Sequence, residues 1–306
     1  MRRRDLLQVT AAATVIIATP FARKRASAQG KAVLRMGFSD EVLTLDPIKT
    51  VYGPDILIQG MMFSRLLRSS ADRKQLFPGL AESYEISPDG KTYTFHLTEA
   101  KFSDGSPITA EDVAFSYTRM RFQKDSAYAG PFTALEKTET AGPKTVVMHL
   151  NKVFTPFIQN VEIWNSGIVP KVAVESLGDD KFAQNPVSSG PFRLVEWRKG
   201  DRVVLEKNPF YYRQGLPYLD GIEILYVPDD NTRVSMLRAG ELDMLLGAPY
   251  PLLQQLAAEG FQATPEPSSI MSEMIINHSK EPFDDILVRQ AVSAAIDRQA
   301  IADAVT

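Results

Sequence analysis

Residues 78–117, PGLAESYEISPDGKTYTFHLTEAKFSDGSPITAEDVAFSY, decide how this chain folds. Tyr84 and Ile86 alternate with polar neighbours, the pattern of a half-buried strand. Ser87-Pro88-Asp89-Gly90 then supplies a turn: proline presets φ, aspartate bonds its own backbone, and glycine tolerates positive φ. The chain returns with Tyr93, Phe95 and Leu97 on one face and Thr92, Thr94 and His96 on the other, so the pair reads as a β-hairpin. A second turn follows at Ser103–Pro107. Thr109 is then placed to cap a helix with Glu111 and Asp112 in its first turn, and Val113, Tyr117 and Met120 continue it at helical spacing.

The wording of this stretch is more specific than its pattern. GLAESYEISPDGKTYTFHL followed by KFSDGSPITAEDVAFS resembles the extracytoplasmic solute-binding proteins of peptide-type ABC importers, family 5, which include dipeptide, oligopeptide and nickel binders. Two further blocks agree in the family's order: NPVSSGPFRLVEWRKGDRVVLEKNPFYYRQGLPYLDGIEI at Asn185–Ile224, and INHSKEPFDDILVRQAVSAAIDRQAI at Ile276–Ile301. The resemblance implies an α/β, two-lobed periplasmic binding protein fold of the large peptide-binder class. It assigns 29–70 and 185–268 to a mixed-sheet first lobe, 71–184 to a subdomain inserted in that lobe, and 269–306 to the start of a second lobe. Family members continue well beyond the position of Thr306, so a C-terminally truncated chain with most of the second lobe missing is expected.

Composition is compatible with this. The 306 residues are 44% hydrophobic and 9% aromatic, enough for a sizeable core. With no cysteine, disulfides and thiolate chemistry are excluded. Net charge is −3; six basic residues against Asp5 put the first 30 residues at +5, which leaves the rest at −8 (−3 less +5). An acidic body argues against nucleic acid and anionic membrane surfaces as partners.

The N-terminus reads as an export signal, residues 1–28, to be left out of the fold. Arg3-Arg4-Asp5-Leu6-Leu7 resembles the twin-arginine consensus. The apolar run Val9–Phe21 is short for a membrane span, and Ala26-Ser27-Ala28 is an A-x-A cleavage site. A soluble, periplasmic, monomeric protein beginning at Gln29 is expected, with no membrane-spanning part after cleavage.

Along the body, Lys31–Gly37 reads as a strand, and Leu45-Asp46-Pro47 opens a loop through Tyr52-Gly53-Pro54. Asp55 is placed to cap a helix from Ile56 to about Leu67. Lys144–Leu150 reads as a strand; Trp164, in an apolar segment, reads as core more readily than as a side chain facing the cleft. Lys199-Gly200-Asp201 turns a second hairpin. Asp230 or Asn231 caps a helix that ends at Gly240; Asp284 or Asp285 and Asp297 cap two more.

No catalytic, metal-ligating or phosphate-binding constellation stands out, so neither an enzyme nor a cofactor is expected. His96 and His149 lie in strand alternation, and acidic pairs such as Asp40-Glu41 and Asp179-Asp180 sit where capping and solvation explain them. The resemblance points instead to capture of a peptide or similar small solute, for delivery to ABC permease subunits. It implies ligand-facing main chain at Val51, Tyr52 and Gly53, an aromatic at Tyr128, and a lobe-crossing strand through Ser268, Ser269, Ile270 and Asn277. A receptor that presents ligand to a sensor without transport, and a non-functional fragment, are the alternatives.

Overall fold

A computed structural model describes Thr14–Ile17 and residues 31–248, 250–265 and 274–305. In chain order the first elements are β1 (Thr14–Ile17), β2 (Val33–Phe38), α1 (Gly53–Met62), β3 (Leu67–Ser69), β4 (Leu76–Pro78), β5 (Ala81–Ile86), β6 (Thr92–Leu97) and α2 (Ala110–Phe122). There follow β7 (Leu135–Thr140), β8 (Thr145–Leu150), α3 (Phe157–Asn160), α4 (Lys171–Leu177), α5 (Asp179–Gln184), β9 (Phe192–Arg198), β10 (Arg202–Lys207) and β11 (Gly221–Tyr226). The last are α6 (Asp230–Ala239), β12 (Met244–Leu246), α7 (Tyr250–Ala258), β13 (Gln262–Pro265), α8 (Ile286–Ala295) and α9 (Arg298–Val305).

The described chain forms two compact units. One comprises Asp40–Tyr226 with the start of β2. Its centre is the expected hairpin. β5 and β6 pair antiparallel with Tyr84 opposite Phe95, and β8 and β7 extend the sheet in the order β5–β6–β8–β7. The turn between β5 and β6 closes on Gly90 at φ 68°, a conformation that costs glycine nothing. Tyr93, Phe95 and Leu97 are buried as their alternation predicts. Tyr84 and Ile86 are only partly covered, 38% and 45% exposed, because β5 is the sheet's edge strand, with a neighbour on one side only.

α2 packs on β7 and β8. Its start is a complete capping box: Asp112 N–H donates to Thr109 Oγ1, and Thr109 N–H donates to Asp112 Oδ2. Val113, Tyr117 and Met120 face inward with no exposure. Tyr117 meets the edge of Phe132 at 5.4 Å, Phe132 meets Phe157 at 6.2 Å and Phe157 meets Tyr93 at 4.9 Å, so aromatic rings tie helix, sheet and the α3 turn into one core. A separate antiparallel meander, β9–β10–β11, belongs to the same unit, with Val203 and Leu205 on its buried side.

The other unit comprises β1, Met36–Ser39 and the chain from Val227. β12 runs parallel to β2, with Met244 opposite Met36. α6 is capped by Asp229, one residue before the expected aspartate, because Asp229 Oδ1 accepts from Thr232 N–H at 2.7 Å; it ends on left-handed Gly240 as expected. Asp285 caps α8 through Leu287 N–H. β1 pairs antiparallel with both β12 and β13. The sequence reading left this segment out of the fold; its TVII run is β-branched and apolar, chemistry that fits a paired strand. The rest of the predicted signal, including Arg3-Arg4 and Ala26-Ser27-Ala28, lies outside the described residues.

Candidate functional site

The loop from Leu43 to Tyr52 has no regular secondary structure, yet its backbone is held at nearly every step. Leu43 N–H donates to Asp55 Oδ1 at 2.7 Å. Gln59 Nε2 donates to the carbonyls of Thr44 and Asp46, and Asn165 Nδ2 to those of Pro47 (2.7 Å) and Thr50 (3.1 Å) and to Gln59 Oε1. Asp55, Gln59 and Asn165 are fully buried, so each bond forms where water does not compete. Burial pushes the Asp55 carboxyl above its ordinary value, against the hydrogen bonds that favour its charge.

Asp55 therefore does not cap the helix, as its position had suggested. α1 begins at Gly53, three residues earlier than expected, and ends at Met62, with Tyr52 at the cap position and Pro54 in the first turn, where a missing N–H costs nothing. Asp55 instead reaches back to the loop.

Asp46, fully buried, is the second anchor. Its Oδ2 accepts from Arg119 Nη2 at 2.7 Å, and the same nitrogen donates to Asp179 Oδ1 at 2.8 Å. Lys49 lies 3.3 Å from Asp179 and also pairs with Asp125, while Gln123 hydrogen-bonds Asp179. Burial alone would lower the Lys49 pKa, but the two carboxylates outweigh it and hold the ammonium above the usual lysine value. Asp179 shows the converse: burial raises its carboxyl, and Arg119 and Lys49 pull it below the usual range.

On this frame the loop presents Val51, 68% exposed, with Gly53 beside it in open space. Among the described residues nothing hydrogen-bonds the Val51 backbone. Tyr52 is half-buried and its phenol pairs with Asp40; burial first, then that carboxylate, pushes its pKa up to about 12, so it remains a neutral donor. The segment carrying Tyr128 lies against the same loop, since Ala127 N–H donates to Ile48 O at 2.8 Å. Tyr128 is half-buried, and burial raises its phenol to about 12.

Four predicted site residues, Val51, Tyr52, Gly53 and Tyr128, are thus brought onto adjoining segments of one unit. Asn277 belongs to the other unit, exposed, with its Oδ1 closing a turn by accepting from Ser279 N–H. Ser268, Ser269 and Ile270 lie outside the described residues.

Several residues that hold the loop were not singled out by sequence: Gln59, Asn165, Arg119 and Lys49. The available signal was a polar residue inside an apolar run, as at Gln59 in ILIQGMM. Two readings are corrected. Asp179 is an ion-pair partner rather than a cap or solvated turn residue. Trp164 is 42% exposed rather than core: it lies on α1 where Gly60 leaves room for its ring, with the Arg65 guanidinium 5.4 Å above it.

His96 and His149 face outward on the four-stranded sheet, each beside a glutamate, Glu85 and Glu139. No group of three or more His, Asp or Glu side chains among the described residues is arranged to hold a metal, and no described helix is long and apolar enough to cross a membrane.

Residues 75–306 match the family model described as bacterial extracellular solute-binding proteins, family 5 Middle. The glutathione-binding protein GsiB of Salmonella typhi is 34% identical over 229 residues, covering 72% of this chain and 44% of that protein. The periplasmic oligopeptide-binding protein OppA of Salmonella typhimurium is 32% identical over 301 residues, covering 90% of this chain and 54% of that one. Among solved structures, the binding protein MoaA from A.tumefacien R10, in complex with mannopinic acid, matches with a TM-score of 0.80 at 30% identity over 90% of this chain and 58% of that chain. The chain spans about half the length of these relatives. Its α/β architecture is that of the two-lobed periplasmic binding proteins, and the chain belongs to family 5 of the bacterial extracellular solute-binding proteins.

Proposed function

We propose that this chain captures a peptide or similar small solute in the periplasm and hands it to the permease of an ABC importer. The observation that carries the reading is the Val51–Gly53 strip, where Val51 stands exposed with no backbone hydrogen bond among the described residues and Tyr52 N–H is held by Thr50 Oγ1, on a loop fixed by buried polar groups, in a chain of this family. A strip of this kind can bond an extended ligand through its backbone, which gives affinity with little dependence on side-chain sequence. The relatives' names speak of glutathione, oligopeptides and mannopinic acid, so ligands with several amide or carboxylate groups are the class to screen.

In this reading the protein works as a monomer without catalysis or cofactor, and Ser268–Ile270 and Asn277 contribute from the stretch that crosses to the second lobe. Residues 29–70 and 185–268 build the first lobe, 71–184 its inserted subdomain and 269–306 the start of the second. Export runs by the twin-arginine route, and cleavage after Ala28 takes β1 with the signal. Replacing Arg3 and Arg4 by lysine retains the precursor in the cytoplasm if the route is right; normal export of that double variant contradicts it.

The binding reading is tested by calorimetric titration of the purified protein with di- and tripeptides, a nickel–histidine chelate and an opine. Saturable binding of one class is expected, and no heat with any of them overturns the reading.

A further inference from the structure

Lys49 is the place where the loop, the Tyr128 segment and α5 are fastened together. Its side chain is 18% exposed, and its ammonium pairs with Asp125, three residues past α2 and three before Tyr128, and with Asp179 at the start of α5. Asp179 is held in turn by Arg119, which also holds buried Asp46 one turn of the loop before Lys49. The cluster therefore runs Asp46–Arg119–Asp179–Lys49–Asp125, with carboxylates and cations alternating. Its two ends lie on the two segments that carry Tyr52 and Tyr128.

We infer that Lys49 is a positioning residue that holds the Val51–Gly53 strip and the Tyr128 segment in register as one ligand-facing wall. The inference rests on the solute-binding reading above. A single ordinary surface lysine contributes little, and three features separate Lys49 from that case. It is mostly covered. It bridges two carboxylates from different segments, Asp179, which Arg119 also pairs, and Asp125, so one ammonium joins the buried ion pairs to the Tyr128 segment. And among the described residues the other hydrogen bond between the two segments is a backbone one, Ala127 N–H to Ile48 O. Without the ammonium, that bond is left to hold Tyr128 against the loop.

The geometry also says which substitution is informative. Arg119 is unsuitable, since removing it strands Asp46 as an unpaired buried charge and threatens the fold itself. Lys49→Ala leaves the buried Asp46–Arg119–Asp179 part intact and opens only the outer link. Lys49→Arg keeps a cation that can still reach both carboxylates.

The test is residue-resolved amide exchange together with titration of trialanine, on the protein and both variants. In Lys49→Ala the Ala127 amide should exchange about twofold to fivefold faster, the range for a partly exposed ion pair. The Phe95 amide should be unchanged, trialanine should bind several-fold more weakly, and Lys49→Arg should recover most of both effects. Unchanged exchange at Ala127, or an equal rise at Ala127 and Phe95, overturns the positioning role, since the first shows no link and the second a general loss of stability. Exchange decides the clamp without any ligand, and trialanine binding to the unmodified protein separately decides the solute reading.

Discussion

The β5–β6 hairpin and the Leu43–Tyr52 loop lie in the same compact unit and are both well defined, but opposite kinds of interaction hold them. The hairpin's side chains enter an aromatic core: Tyr93 and Phe95 are buried and meet no polar partner there. The loop buries polar groups instead, Asp46, Asp55, Gln59 and Asn165, each bonded to backbone or to an opposite charge, although one carboxylate oxygen of Asp55 and the amide oxygen of Asn165 are left without a partner. Apolar contacts are non-directional, so such a core tolerates small shifts. Hydrogen bonds demand geometry, so the loop has essentially one arrangement. A surface that must present its backbone to a solute gains from the second kind of fastening, because it can stay exposed on one side and fixed on the other.

Phe95→Ala attacks the first kind. It removes a fully buried ring from the centre of the sheet, and a loss of about 3–5 kcal/mol is expected in urea unfolding. A loss below about 1 kcal/mol would mean that the sheet is not the folding core. Asn165→Leu attacks the second kind: it leaves the carbonyls of Pro47 and Thr50 without their donor, at a cost of about 2–3 kcal/mol. Amide exchange should rise first in the segment 44–53 and only later in β6. Simultaneous opening of both would erase the distinction drawn between the two regions.

Thr109→Ala sharpens the comparison from the hairpin side. It breaks the capping box of α2 at about 1 kcal/mol, read as a small shift in the thermal midpoint, while loop exchange stays unchanged.

The pattern was legible in sequence where the period of apolar residues was the cause of the structure. Tyr93, Phe95 and Leu97 alternate because a sheet buries alternate residues, and Thr109 precedes an acidic first turn because a helix start needs acceptors. The loop had no period to read. Asp55 looked like a cap because aspartate before an apolar helical run usually is one; only the folded chain shows Leu43 N–H competing for its carboxylate. Asp179 likewise looked like a solvated turn residue because its partners, Arg119 and Lys49, are distant in sequence. The resemblance proposes Val51, Tyr52, Gly53 and Tyr128 as ligand-facing, while the residues that hold those segments in place became visible only through three-dimensional contacts.

Acidification gives the smallest of the expected effects and separates the regions by charge. Asp179 and Asp125 have carboxyls below their ordinary values, so each contributes stability that is present above the unfolded carboxylate pKa, about 4, and is lost as pH falls through the folded value. Lys49 is raised, so its contribution is full below the unfolded lysine value and is lost only in strong alkali. Between pH 7 and 5 exchange at Ala127 should be flat after correction for the intrinsic rate; between pH 4 and 3 it should rise before that of Phe95. A rise already at pH 6 would contradict the assignment to this cluster.

The most direct test of the central claim, that the polar-fastened loop is the solute-facing wall, is amide exchange with and without saturating trialanine. The account predicts that protection appears at Val51, Tyr52 and Gly53 and on the Ala127–Tyr128 segment, with β5 and β6 unaffected. Bound trialanine that protects the hairpin or the β9–β10 strands while leaving 51–53 unchanged would contradict it.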